Sequence, residues 1–355
     1  MLFLCGAPSF ENVFTHSLTR MTRPVTIRDV AQRAKVSIST VSRVLNAPGK
    51  VREDKRKKVE EAIQTLGFRP NEMARGLLKK QTGGLGVILP YVGGEFFSEF
   101  LTSIDKAAQE NGFFLMISTS HRNTKAMEKV LQNMSSRVDG ILVMASDGTP
   151  DMIKSLAHGP WPVIFVNTDA LELGLESINF DNFAGAYKAT KHLIELGHER
   201  IAMLMGPTHS YDARERLRGY RAALEDSGLP TDPALELAGD FTPEAGYTAA
   251  HKLIELDPRP TAVFGANDQS TIVLMSVVRT FGIKIPEELS VVGFDDIPAS
   301  RYSAPPLTSV RVPISEVGRT AITRLVEVIR EEPASPSSHI LPVELIIRES
   351  TARRN

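Results

Sequence analysis

"VTIRDVAQRAKVSISTVSRVLN", residues 25–46, carries two short amphipathic patterns with only a few residues between them. Ile27, Val30, Ala31 and Ala34 are spaced i, i+3, i+4, i+7, which is one face of a helix, and Thr26 stands just ahead as an N-cap. Val41, Val44 and Leu45 repeat the face, with Ser37 placed to cap. At about 100° per residue, Ile38, Ser39, Ser42, Arg43 and Asn46 fall within an arc of about 140° on the other side. The second helix is therefore expected to bury one face and present a short, mostly polar one. Small side chains there let a backbone approach a groove wall. Arg43 suits bidentate pairing with guanine, and Ile38 suits contact with a thymine methyl. Ser37, Thr40, Ser42 and Asn46 suit phosphate oxygens. A third face, Val59, Ala62, Ile63 and Leu66, closes on Gly67. Three short helices with a tight turn between the first two describe a helix-turn-helix unit.

Charge supports this reading. Residues 22–80 hold fifteen Lys/Arg against six Asp/Glu, while the whole chain has a formal charge of −1, so residues 81–355 carry about −10. A small basic head on a larger acidic body is a nucleic-acid-binding signature. At 355 residues the chain is too long for one core. Its one cysteine, Cys5, excludes an intramolecular disulfide and a cysteine-based zinc site, and fits a reducing cytoplasm. No apolar run reaches the ~18 residues of a membrane span. The opening "MLFLCGAPSFENVFTHSLTR" lacks the build of a signal peptide, and residues 1–21 are expected to be a disordered extension, or the first twenty an upstream start-codon artefact.

Residues 22–68 form the predicted head. In "FRPNEMARGLLKKQTGG", residues 68–84, Pro70 breaks the preceding helix and Asn71 caps a helix carrying Met73, Ala74, Leu77 and Leu78. Two turns interrupted by Gly76 are marginal in water, so residues 69–83 are expected to be a hinge that folds only when held. From Leu85 onward, strand-like runs ("LGVILP", "FFLMIST", "DGILVMA", "PVIFVN", "RIAMLMG", "TAVFGAND", "LSVVGFDD") alternate with amphipathic helices. Buried strands separated by helices predict parallel sheets covered on both faces. Nearly 270 such residues predict two doubly wound lobes. No Walker A sequence occurs, and the first strand lacks a G-x-G-x-x-G turn, so nucleotide-cofactor chemistry has no motif support. The histidines, among them His192, His198 and His251, have no metal spacing, and no G-x-S-x-G elbow occurs. Neither an enzyme, a cofactor nor a metal site is expected.

The order T-I-x-D-V-A, then V-S-x-x-T-V-S-R-V-L-N, then R-P-N-x-x-A-R-x-L resembles the head and hinge of the LacI/GalR family of bacterial transcription regulators. The likeness covers residues 22 to about 350. It implies an all-α helix-turn-helix head plus an α/β body at 84–350, whose two doubly wound parallel-sheet lobes are of periplasmic-binding-protein type. Lobe 1 is expected at about 84–181 and 312–341, lobe 2 at about 182–311 and 342–350. Ile38, Ser39 and Arg43 match positions that read bases. Thr26, Ser37, Thr40, Ser42 and Asn46 match phosphate-contacting positions. Met73, Ala74 and Leu77 fall on the hinge segment that meets DNA, with Leu77 as the minor-groove wedge. Where relatives carry a small hydroxyl residue to cap the third helix, this chain has Arg52, so Glu53 or Asp54 is expected to cap instead.

The resemblance also places an effector pocket between the lobes. Arg216, in "GPTHSYDARERLRGY", matches an arginine that clamps ligand oxygens; Asn267 in "GAND" and Asp295 in "VGFDD" match ligand-contacting positions. Asn167 matches a polar position, and Phe96, Phe97, Phe180 and Phe241 match aromatic ones. An amide, a carboxylate and a guanidinium suit vicinal hydroxyls. The implied protein is a ligand-responsive, sequence-specific DNA-binding regulator: a repressor of carbohydrate genes with a sugar-like effector, acting as a homodimer on operator DNA in the cytoplasm, at the nucleoid. The alternative is a solute-binding protein for a sugar transporter, against which the basic head argues. "LPVELIIRESTARRN" shows no leucine heptads, so no C-terminal coiled coil is expected.

Overall fold

The computed structural model describes residues 25–68, 81–120, 124–134, 136–144, 153–154, 156, 159, 161–168, 170, 173–330 and 338–354. The extension expected at residues 1–21 and the hinge residues Met73, Ala74 and Leu77 lie outside them. The chain divides into two compact units, Met1–Leu78 and Lys79–Asn355.

In the first unit, helices α1 (Ile27–Ala34), α2 (Ile38–Asn46) and α3 (Glu53–Leu66) enclose a core of Val30, Ala31, Ala34, Val41, Val44, Val59 and Ala62. Thr26 and Asp29 start α1 with a capping box, in which the Thr26 backbone N–H donates to the Asp29 carboxylate at 2.7 Å. Lys35 ends α1 in the left-handed conformation (φ 54°), and two residues later Ser37 caps α2 by accepting from the Thr40 N–H at 3.2 Å. The expected cap of α3 is corrected. Arg52 occupies the N-cap position without a side-chain bond, and Glu53 and Asp54 lie inside the first turn. There they complement the positive helix end rather than cap it. Arg52 pairs instead with Asp54 at 3.5 Å on the surface.

The second unit holds two six-stranded sheets. The first is all parallel. It comprises β1 (Gly84–Leu89), β2 (Phe114–Thr119), β3 (Gly140–Met144), β4 (Val163–Val166), β5 (Ser177–Phe180) and β11 (Ser338–Leu341), in the order β11-β5-β4-β3-β1-β2. The second comprises β6 (Ile201–Leu204), β7 (Glu236–Leu237), β8 (Ala262–Gly265), β9 (Ser290–Asp295), β10 (Thr308–Arg311) and β12 (Glu344–Ile346). Its order is β12-β10-β9-β8-β6-β7, parallel except for the antiparallel edge strand β12. The central strands β1, β3, β8 and β9 are buried along their whole length, as helices on both faces require.

Helices α4 (Gly94–Glu110), α5 (Thr124–Met134) and α11 (Ile314–Ile329) belong with the first sheet. Helices α6 (Asn182–Glu195), α7 (Tyr211–Glu225), α8 (Pro243–Glu255), α9 (Asp268–Thr280) and α10 (Pro298–Tyr302) belong with the second. Close helix approaches are made by missing side chains. A Cβ on Gly318 of α11 would stand 2.0 Å from Ser103 Oγ on α4, and one on Gly219 of α7 would stand 2.4 Å from the Phe183 carbonyl on α6. The chain passes between lobes after β5, after β10 and after β11. The crossings are stitched together by the Asp181 N–H on the Leu341 carbonyl (3.1 Å) and the Val312 N–H on the Asp295 carbonyl (3.3 Å). Strand carboxyl ends and helix starts from both lobes therefore face one cleft.

Candidate functional site: an exposed helix face and an interlobe pocket

The helix-turn-helix presents its polar face as the spacing predicts. Val41 and Val44 are buried, whereas Ser37, Ile38, Ser39, Arg43 and Asn46 are exposed and Thr40 and Ser42 half-buried. Ile38 leaves 45% of its surface in solvent. The hydroxyls bond locally: Ser37 Oγ lies 2.8 Å from Ser39 Oγ and 2.9 Å from Thr40 Oγ1, and Asn46 Nδ2 donates to the Ser42 carbonyl at 2.9 Å. Thr26 is half-buried and engaged with Asp29. Exposed hydroxyls, one amide and one guanidinium on a single face can meet phosphates and base edges together.

In the second unit a cleft of about 720 Å³, including its open mouth, lies between the two sheets. All eight expected residues line it: Phe96, Phe97, Asn167 and Phe180 from the first lobe, and Arg216, Phe241, Asn267 and Asp295 from the second. Tyr91 joins them. One hydrogen-bonded chain spans the floor. Asn167 Nδ2 donates to Asp212 Oδ2 (3.1 Å), and Asn182 Nδ2 donates to Asn167 Oδ1 (2.9 Å). Arg216 Nε then donates to Asn182 Oδ1 (2.9 Å), and Arg216 Nη2 stands 3.6 Å from Asp295 Oδ1. Arg216 also donates through Nη1 to the Ala266 carbonyl, and its guanidinium lies 3.8 Å from the centre of the Phe294 ring. With Nε and Nη1 engaged inside the protein, its Nη2 edge is what remains for a ligand.

Asn267 is committed at both ends. Its Oδ1 caps α9 by accepting from the Ser270 N–H (3.3 Å), and its Nδ2 holds the Phe241 carbonyl (3.1 Å). The aromatic wall is built edge to face, with Phe97 4.6 Å from Tyr91 and 5.3 Å from Phe96, and Phe96 6.5 Å from Phe180. Phe97 and Phe180 are core residues that turn one edge to the pocket, whereas Phe96 and Phe241 are half-buried. Three residues with positive φ line the cleft: Asn167 (51°), Phe241 (69°) and Asp295 (111°). Such strained conformations in non-glycine residues concentrate at ligand sites.

Burial sets the charge balance. Desolvation pushes the Asp295 carboxyl well above the ordinary range; Arg216 pulls it back, while Asp268 and Asp212 add repulsion. Asp268, fully buried, is pushed up to about 7 by desolvation despite accepting from Ser300 Oγ (2.6 Å), Ser309 Oγ (2.6 Å) and the Ile297 N–H (3.0 Å). It supports the wall without lining it. Asp296 is held by Arg311 at 2.8 Å and by Arg348. Sequence reasoning missed Asp212, Asn182, Glu95, Ser210 and Gln269. Asp212 sat inside the quoted "GPTHSYDARER", at the start of a helix reached from a strand end, which is the one signal it offered. No group of described residues could hold a metal ion, and no helix among them is long and apolar enough to cross a membrane.

The comparisons with known proteins cover both units. A model of bacterial regulatory proteins of the lacI family matches residues 26–71, and one of periplasmic binding protein-like domains matches residues 190–351. The HTH-type transcriptional repressor CytR of Escherichia coli K12 is 35% identical over 327 residues, which is 92% of this chain and 96% of CytR. A crystal structure of the lac repressor dimer bound to operator and the anti-inducer ONPF superposes with a TM-score of 0.83 at 29% identity, covering 93% of this chain and 100% of that one. A complex of the transcriptional regulator CelR with cellobiose gives 0.70 at 31% identity, covering 92% and 100%. These relatives are regulators, and the chain is not an enzyme. With an exposed helix-turn-helix face and a pocket between two parallel-sheet lobes, the chain belongs to the LacI family of bacterial regulatory proteins, DNA-binding transcription regulators that respond to a ligand.

Proposed function

We propose that this chain is a cytoplasmic repressor of carbohydrate genes, acting as a homodimer on a pseudo-palindromic operator and controlled by a small sugar or sugar derivative. The observation that carries the reading is the buried chain Asp212–Asn167–Asn182–Arg216–Asp295, which crosses the cleft between aromatic walls. Carboxylate, amide and guanidinium match the paired donors and acceptors of vicinal hydroxyls, and rings such as Phe96 and Phe241 suit the apolar faces of a sugar. The likeness to a regulator bound to cellobiose points the same way, and the likeness to a dimer bound to operator supports the two-headed mode.

In this reading Ile38, Ser39 and Arg43 meet base edges. Thr26, Ser37, Thr40, Ser42 and Asn46 hold phosphates, and Met73, Ala74 and Leu77 of the hinge segment meet the minor groove. Ligand in the cleft changes lobe closure, and DNA affinity changes with it by the same free energy that DNA exerts on ligand affinity. The test is a mobility-shift assay on genomic fragments, repeated with a panel of mono- and disaccharides. A sequence-specific shift that one sugar strengthens or abolishes is the expected result; no specific shift in any ligand state overturns the regulator reading for this chain.

A further inference from the structure

Three helices of several turns begin at the pocket wall: α4 beside Gly93, α7 beside Ser210 and α9 beside Asn267. Helix N-termini offer free N–H groups and a positive dipole end, so converging ones form a ready anion seat. Here the chain's own groups take two of these ends, a carboxylate at α7 and the Asn267 amide at α9, and two further carboxylates take backbone N–H groups at the start of the short α10. Asp212 lies in the first turn of α7, where its Oδ1 accepts from the Ala213 N–H at 2.9 Å and from Ser210 Oγ. Asp268 opens α9, and its Oδ2 reaches the Ile297 N–H just ahead of α10. Glu95, in the first turn of α4, crosses to the other lobe and accepts from the Ala299 N–H of α10 at 2.8 Å.

The side-chain charges lean the same way. Among the described residues lining the pocket, Glu95, Asp212 and Asp295 are acidic and Arg216 is the one cation. That guanidinium already faces Asp295 and has spent two of its nitrogens inside the protein. A phosphate or carboxylate brought here would lose its water beside the Asp212 carboxylate and compete with Asp295 for the one partly committed edge of Arg216. Burying a charge without adequate compensation costs several kcal/mol. A hydroxyl, by contrast, donates to a carboxylate and accepts from Arg216 without adding charge.

Resting on the reading of this cleft as a sugar-type effector site, we infer that the pocket selects by charge: it takes an uncharged polyhydroxylated ligand and refuses phosphate esters and sugar acids. At α7 and α10 the chain's own carboxylates already hold the backbone N–H groups that an anion would need. This separates the gene regulator's ligand from the phosphorylated and oxidised products that a cell makes from the same sugar.

The experiment uses the full chain with matched probes: glucose, glucose 6-phosphate and gluconate; ribose and ribose 5-phosphate; cellobiose; and inorganic phosphate. Binding is read by calorimetry and localised by hydrogen exchange in peptides covering 206–216, 265–270 and 293–298, which keeps phosphate bound at the basic head out of the answer. The expected result is protection of these peptides by an uncharged sugar, with its phosphorylated or acidic partner weaker by about tenfold or more and no protection by inorganic phosphate. A phosphorylated or acidic partner that binds as tightly as its parent, or protection by inorganic phosphate, overturns the inference. Protection by none of the probes sinks the sugar reading and the inference with it, whereas protection by an anionic sugar as strong as by its parent overturns the inference and leaves the sugar reading standing. A gain-of-binding variant sharpens the test: Asp212→Asn should narrow or reverse the preference, and an unchanged ratio in a folded variant also counts against the role assigned to its charge.

Discussion

The recognition face of α2 and the floor of the interlobe pocket are built from similar polar side chains used in opposite ways. On α2 the bonds of Ser37, Thr40, Ser42 and Asn46 run within four residues along the chain, and these side chains are exposed or half-buried. In the pocket the bonds join residues 15 to 50 apart in sequence, and Asn167, Asn182, Arg216 and Asp295 are all buried. The difference lies in when desolvation is met. The helix face loses its water only on DNA, so its residues govern affinity with little effect on folding. The pocket lost most of its water on folding, which pre-organises it for ligand and ties its stability to its binding groups.

The sharpest way to break this contrast is Arg216→Ala. Removing the guanidinium strands Asp295, and breaking a buried pair from one side costs about 3–5 kcal/mol. Urea denaturation should show a loss of that order at neutral pH. The deficit should grow at higher pH, because burial already drives the Asp295 carboxyl up and Arg216 is what draws it down. A loss no larger than that of an exposed substitution would mean that the network is ornamental to folding.

The second test concerns Asp268. Its carboxyl is pushed up to about 7 from an ordinary 3.8, so between those values the native state holds a proton that the unfolded chain has released. Stability must then fall as pH rises through this window, by an amount on the order of a few kcal/mol. His198 and His192 have the opposite sign. Burial lowers both below 6.5, so the unfolded chain binds more protons there and stability falls as pH drops through the window just below 6.5. Below about 6.5 the two slopes oppose each other, so urea midpoints from pH 5 to 8 should show a steeper loss toward low pH in Asp268→Asn than in the parent, with the decline contributed by Asp295 left in place. A uniform offset at every pH would show that Asp268 stays ionised.

How much of this was legible in the sequence follows the same division. The head could be read almost whole because its signals are local: an apolar stripe, a polar arc and a capping serine within eleven residues. Its one error, at the start of α3, arose because Glu53 and Asp54 are as useful inside a first turn as at a cap. Strands β5, β7, β10, β11 and β12 were not among the strand-like runs. In β5 and β10, Ser177, Asn179, Thr308 and Ser309 are buried but satisfied by hydrogen bonds, so hydropathy marks them as surface. The eight pocket positions came from the family pattern and converge on one cleft. Asn182 did not, because it acts by holding Asn167 and Arg216 rather than by facing the ligand. The left-handed backbone of Phe241 was equally hidden. Its ring lies over Gly206, where a Cβ would stand 2.2 Å away, a pairing across 35 residues that no local pattern announces.

Arg43→Ala tests the exposed side of the contrast. The side chain is exposed and outside the head's core, so unfolding should be unchanged within about 0.5 kcal/mol. Operator affinity should drop by about 1–3 kcal/mol, with relaxed preference at one base pair, if the guanidinium pairs bidentately with guanine. Fluorescence anisotropy on a matched and a single-substituted operator reads both effects. An equal loss on both duplexes would reassign Arg43 to phosphate.

The smallest expected effect falls where the two kinds of region meet. Ser37 is exposed and in line for a phosphate, yet its Oγ also caps α2 by accepting from the Thr40 N–H. Ser37→Ala should therefore lower the stability of the head by about 1 kcal/mol and weaken DNA binding as well, which alone would not separate the roles. Ser37→Asp separates them. A carboxylate caps as well as a hydroxyl and favours the positive helix end, so the head's unfolding midpoint should be retained. The same charge faces the phosphate backbone, so operator binding should fall further than in the alanine variant and fall most at low salt. If Ser37→Asp restores both stability and affinity, Ser37 serves the helix alone and is not a phosphate contact.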